Sequence, residues 1–274
     1  MSVLKRLAGT VVSAAVAAGT ARAAYRLLRD NPPGGAELWN RKNHRGEELT
    51  LLLGPATVAG AAAATAVAPG LTARERVAGI VATVGAGALG AYDDLAGDTK
   101  AKGFRGHLTA LSEGQVTSGL VKIAGIGLTG IAVAAILKRG NVIQTVADGA
   151  LIAAAANVAN LFDLRPGRTL KVVLAQTPFT AVVGPLLAAP VGSAAGVIDE
   201  DLGETGMLGD SGANALGAAV GTAVVANAPR GVRWAVLAGL VGLTAASEKI
   251  SFTKVIAGNE VLDKLDQLGR RPTP

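Results

Sequence analysis

Residues 142–161 read VIQTVADGALIAAAANVANL. A helix rises 1.5 Å per residue, so a stretch of this length reaches about 30 Å, the thickness of a bilayer's hydrocarbon core. Apolar runs recur on both sides of it, at 7–25, 49–69, 76–92, 115–137, 170–187, 189–199, 213–228 and 231–247. The run at 189–199 is too short to cross unaided, which predicts a re-entrant or tilted piece buried in protein. Pro178, Pro185 and Pro190 punctuate that region.

The composition agrees with the runs. Hydrophobic residues make up 50% of the 274 and charged residues only 17%, against about a quarter in soluble domains. The 37 glycines suit helices that must approach closely in lipid, where no hydrophobic force drives them together. The fold expected is all-α: a polytopic transmembrane bundle of about nine membrane segments, one membrane domain over 1–274. Lys5 and Arg6 followed by Leu7 to Ala24 resemble a signal peptide, but the segment is long enough to span and is read as the first membrane helix. In the tail, 248–274, Val261, Leu262, Leu265 and Leu268 fall at helical spacing, which predicts an amphipathic helix on the inner membrane surface.

Charge gives an orientation. With nine crossings and the N-terminus outside, inner segments hold sixteen Lys and Arg, among them Arg41, Arg105 and Arg270, and outer segments eight, among them Arg74 and Arg230. This is the positive-inside bias and puts the C-terminus inside. The net charge of +6 is thereby explained without a nucleic-acid partner. The chain has no cysteine, and with His44 and His107 its only histidines, a multi-histidine metal site is excluded.

Acidic residues gather on the inner side, and three groups stand out. Asp93 and Asp94 end the third run; adjacent carboxylates at a membrane surface suit a hard cation or phosphate acid–base chemistry, or simply a solvated helix end. Asn157, Asn160 and Asp163, at steps of three, share one broad helical face; they line a polar site or bond neighbouring helices. Gly209-Asp210-Ser211-Gly212 opens the eighth run, where local capping competes with an anion site at a helix N-terminus beside a metal-binding Asp210. Arg165 and Arg168 flank a Pro-Gly turn, with forks suited to phosphate or to anchoring. Lys100 and Lys102 follow the aspartate pair. Asp199, Glu200, Asp201 and Glu204 read as a solvated loop.

An Asp-Asp at a helix end, an Asn-x-x-Asn-x-x-Asp run and a Gly-Asp-Ser-Gly before another helix occur here in that order. The combination resembles the polyprenyl-phosphate N-acetylhexosamine-1-phosphate transferase superfamily, over roughly Arg41 to Gly217, with Lys102-Gly-Phe-Arg-Gly-His-Leu108 similar to the loop after the family's aspartate pair. The resemblance implies a Mg²⁺-dependent (or Mn²⁺-dependent) enzyme of a bacterial cytoplasmic membrane. It would transfer a sugar-1-phosphate from a UDP-sugar to a polyprenyl phosphate, releasing UMP, in cell-wall or surface-glycan synthesis. It further implies Asp93, Asp94 and Asp163 as catalytic, Asp210 and Asp94 as metal ligands, and Asn157, Asn160, Lys100, Lys102, Arg165 and Arg168 around the substrate. Three features depart from the pattern: about nine apolar runs are fewer than the family's usual ten or eleven, and two local stretches differ. Leu-Arg-Pro-Gly-Arg follows Asp163 where the family continues Gly-x-Asp-Gly, and the tail lacks the family's late histidines. The alternatives are therefore a non-catalytic prenyl-phosphate binder or scaffold and, on the strength of Asp148 inside an apolar run, a transporter. The Gly- and Ala-rich helices permit a homodimer.

Overall fold

Small residues set how the helices pack. In the computed structural model, which describes residues 3–43, 45–97 and 112–272, α1 (Val3–Asp30) lies against α3 (Leu53–Val67) and the later α9 (Pro185–Leu202). A Cβ on Gly60, Gly192 or Gly196 would overlap α1 backbone carbonyls, so glycine lets these backbones touch. Helix α4 (Ala73–Ala96) begins with a capping box between Thr72 and Glu75 and packs on α10 (Gly209–Asn227). Helices α5 (Ser118–Leu137), α6 (Val142–Phe162) and α11 (Arg230–Ser247) follow one another around the remaining side. Leu151, Ile152, Val197, Leu208 and Leu216 are buried between them.

The described residues are helical apart from a hairpin that the all-α expectation did not include. After the single turn α2 (Ala36–Trp39), strands β1 (Asn40–Lys42) and β2 (Glu48–Thr50) pair antiparallel. The Asn43 side chain accepts hydrogen bonds from the Arg45 and Glu47 amides, and Gly46 takes a positive φ of 79°; a short polar side chain thus closes the turn.

Two segments differ from the sequence expectation. The run at 170–187 is not one helix but two seven-residue pieces, α7 (Arg168–Leu174) and α8 (Thr177–Val183), meeting at Ala175–Gln176. Each is about 10 Å long, too short to cross alone. Pro178 is the cause, because it lacks the amide that would continue the ladder. Conversely, 189–199 belongs to an 18-residue, largely buried helix, α9. Pro185 starts it where a missing amide costs nothing, and Pro190 is accommodated in its interior.

Three helices, over Lys5–Asp30, Ser118–Leu137 and Val142–Phe162, are long and apolar enough to cross a membrane. Helix α5 exposes Val121, Ile123, Leu128 and Ile131, a surface that water does not favour and lipid does. Membrane association follows from these helices.

Contacts sort the helix ends into two groups. At one end Arg6 donates to the Val182 carbonyl and the Asn227 side chain, and Gly9 meets Pro69. Arg233 pairs there with Asp148, both buried, while Gln144 donates to the same carboxylate at 2.8 Å. At the opposite end lie Asp93, Asp163, Asp210 and the tail helices α12 (Phe252–Ala257) and α13 (Glu260–Gln267).

A methyl on Gly90 would collide with the Asp210 carbonyl, whereas nothing lies within 4 Å of one on Gly19. Gly90→Ala should therefore destabilise the protein by about 1–3 kcal/mol. Gly19→Ala should be neutral or slightly stabilising through helix propensity. Thermal unfolding of both variants in detergent, followed by circular dichroism, checks the contrast.

Candidate functional site

The third and eighth runs meet through a carboxylate. Asp94, in the last turn of α4, accepts hydrogen bonds from the Asp210 and Ser211 amides, each at 3.0 Å. The N-terminus of α10 is therefore capped from another helix; no side chain of its own flank does so. Gly209 adopts φ 60°, and a Cβ there would press on the Asp94 carboxylate, so glycine is needed on both counts. Ser211 donates to the Gly87 carbonyl at 3.0 Å, and Arg41 from β1 donates to the Asp94 carbonyl at 2.8 Å, a cation at the end of α4.

Lys122 completes the cluster. It lies one turn into α5, where its ammonium bonds Asp93 at 2.5 Å and pairs also with Asp210. Ser118, one turn earlier on the same face, donates to the other Asp93 oxygen at 2.6 Å. Burial raises the Asp93 carboxyl, but the bonds from Lys122 and Ser118 outweigh it and hold the group below the ordinary range. Asp94 goes the other way: burial and the Asp210 charge push it up to about 7, despite the amides it accepts from. Burial also raises Asp210 against the pull of Lys122.

Asp163 ends α6 beside this cluster. Burial, then the charges of Asp201 and Asp210, push its carboxyl well above the usual range. It lines a cleft of about 450 Å³ with Lys42, Asn43, Arg165, Asp201, Glu204 and Thr253. Asp201 and Glu204 are buried, contrary to a solvated loop. Asp201 accepts from the Gly167 amide at 2.6 Å, and Glu204 takes bonds from Asn43 at 2.7 Å and Arg45 at 3.2 Å. The cations at the cleft rim, Lys42 and Arg165, are exposed.

The residues singled out in the sequence thus divide. Asp93, Asp94, Asp163 and Asp210 converge at one end, and Arg165 lies at the adjoining cleft. Asn157 instead donates to Thr244 of α11 at 3.1 Å, a bond between helices, and Asn160 is half-buried in the last turn of α6. Arg168 is buried with its fork on Asp266 at 2.8 and 2.9 Å and a further bond to Thr253, so it braces the tail. Lys100 and Lys102 lie outside the described residues. Lys122 was missed, although a lone lysine inside an apolar run is a signal in itself.

Among the described residues the donor set suits a hard divalent cation: oxygen ligands, with more carboxylates than cations around them. Asp210 and Asp93 would hold it in exchange for Lys122. Both Asp94 oxygens are engaged by amides, which makes Asp94 the anchor of the site. Among the described residues no three acidic or histidine side chains already form a metal cage. Compared with protein-family models and with curated proteins, the chain matches none.

Asp201, held at about 6 chiefly by burial, carries a pH signature. Its folded value lies above the ordinary 3.8, so the proton contributes stability below about pH 4 that is lost as pH rises through 6. The contribution is on the order of 2–3 kcal/mol. Asp201→Asn mimics the protonated form and should flatten the fall in melting temperature between about pH 4 and 7. Superimposable profiles for the variant and the parent protein would refute this.

Proposed function

We propose that the chain is a Mg²⁺-dependent sugar-1-phosphate transferase of a bacterial cytoplasmic membrane, acting between a UDP-sugar and a polyprenyl phosphate. The observation that carries the reading is the convergence of Asp93, Asp94, Asp163 and Asp210, from three separate stretches, at one end of the bundle, with Lys122 bridging Asp93 and Asp210. We further infer nine passages through the membrane, with α7 and α8 together making the sixth, the N-terminus outside and the C-terminus inside. The two groups of helix ends described above support that path. It leaves the acidic cluster at the inner face, where a soluble nucleotide and a lipid phosphate can both reach it.

In this reading a prenyl-phosphate oxygen forms a bond to the phosphorus carrying the sugar, and the bond from that phosphorus to UMP breaks. Little covalent help is needed; positioning and charge do most of the work. The adjoining cleft is of ligand size, and Lys42 and Arg165 at its rim supply cations for the diphosphate. Asp163, its carboxyl raised well above the usual range chiefly by burial, lines the cleft where the diphosphate would lie. Until a cation takes its place, Lys122 holds Asp93 and Asp210 together and offsets their charge. When bound, Mg²⁺ on Asp210 and Asp93 neutralises charge on the diphosphate.

The transporter reading loses its motive, since Asp148 is neutralised by Arg233 inside the bundle. A non-catalytic prenyl-phosphate binder stays as the second reading, favoured by Arg168, which serves the tail instead of a ligand.

Purified protein with undecaprenyl or decaprenyl phosphate, Mg²⁺ and a panel of UDP-sugars should release UMP. Release should require the lipid, stop with a chelator, and fall on the order of 10²-fold or more in Asp210→Asn and Lys122→Met. If no donor yields UMP while prenyl phosphate still binds, the transferase is ruled out in favour of the binder.

A further inference from the structure

The tail helix α13 is amphipathic with an unusual seating. Asp266 is buried on the protein, where it accepts from Arg168 and from Arg270 at 2.7 Å. Lys171 adds bonds to the Leu265 and Asp266 carbonyls at 3.1 and 2.7 Å. The apolar row does not follow Asp266 inward. Val261, Leu262, Leu265 and Leu268 are 67%, 43%, 56% and 67% exposed. Consecutive residues point about 100° apart, so Leu265 and Asp266 present different sides of the helix. One flank is bound to protein, the next is bare hydrocarbon, and Glu260 and Lys264 pair on a third.

An amphipathic helix that turns its apolar side away from its own protein is stable only against another apolar medium. The fold says which medium. Only Glu248 to Ser251 separate α12 from the end of α11, so the tail cannot leave the boundary layer in which α11 ends. Ile250 and Val255, also half exposed, extend the bare row toward that boundary. We propose that α13 is a lipid-seated latch. Its apolar row lies in the interfacial layer of the inner leaflet, while Asp266 on the neighbouring flank braces the Arg165–Arg168 turn beside the cleft. The neighbouring tail adds two contacts: Thr253 of α12 stands in the cleft wall, and Arg271, just past α13, pairs with Glu47 in the hairpin turn. Lipid contact and cleft geometry are thereby joined in one short element. The inference rests on the nine-passage path proposed above and is independent of the transferase reading.

The absence of cysteine makes the test direct. The full chain carrying Leu265→Cys or Glu260→Cys is labelled with an environment-sensitive fluorophore and reconstituted in phosphatidylcholine–phosphatidylglycerol vesicles. Lipids brominated in their acyl chains should quench the Leu265→Cys probe severalfold more strongly than the Glu260→Cys probe. Equal quenching overturns the proposal. So does a Leu265→Cys probe that is shielded from brominated lipid and crosslinks between subunits, which would make a second copy the occupant. Adding Asp266→Asn to the Leu265→Cys chain should leave lipid quenching in place and speed tryptic cleavage at Lys254 and Lys264 severalfold; unchanged cleavage would sink the bracing role.

Discussion

The Asp94 carboxylate at the first amides of α10 is the contact on which the rest of the acidic end of the bundle depends. A helix start leaves amides without partners and carries partial positive charge. Here the missing acceptor comes from the end of α4, so two helices distant in sequence are fixed end to end. Glycine at 90 and 209 permits the approach, and Ser211 locks it from the other side through the Gly87 carbonyl. Once α4 and α10 are so joined, Asp93 and Asp210 have no choice but to share a neighbourhood. Lys122 of α5 then has two carboxylates to face.

Polar groups elsewhere in the bundle are spent on structure, and the contrast is informative. Asp148 meets Arg233, Asn157 meets Thr244, Ser193 donates to the Thr57 carbonyl and Asp266 takes a two-point contact from Arg168. Each of these closes on itself between two elements. The acidic cluster does not close in this way. Among the described residues, Asp93, Asp94, Asp163, Asp201 and Asp210 outnumber the lysine that pairs with them, and four of the five carry raised carboxyls with burial as the leading cause.

Much of this was legible in the sequence, and the reasons for the failures are local. Runs of spanning length and Gly-rich composition give an all-helical bundle, because lipid leaves the backbone few other options. What a run cannot report is how a proline will act. Pro178 breaks 170–187, whereas Pro190 sits inside α9, since neighbouring helices decide whether a lost bond is tolerated. The capping of α10 was misassigned for a similar reason: the tetrapeptide shows that a cap is needed, but a contact 116 residues away supplies it. Asp93, Asp94, Asp163 and Asp210 were readable from their positions at helix ends. Lys122 was not, because a count of loop charges passes over a residue inside a run.

Stability alone does not account for the cluster. Taking charges out of water costs several kcal/mol per ion, and a buried ion pair often does no better than hydrocarbon of the same shape. Asp94 earns its place by capping, and Asp201 by holding the Gly167 turn. Asp93, Lys122 and Asp210 tie α4, α5 and α10 together, a task that leucine or methionine at these positions would perform as well in a purely structural bundle. Carboxylates and a lysine kept together at a helix-end boundary, beside a cleft with cations at its rim, are the feature that the proposed cation and phosphate chemistry would use. The same physics explains why the site lies at the boundary and not in the middle of the bundle. There a carboxylate can lose its proton, or change partner from lysine to metal, without stranding a charge in hydrocarbon.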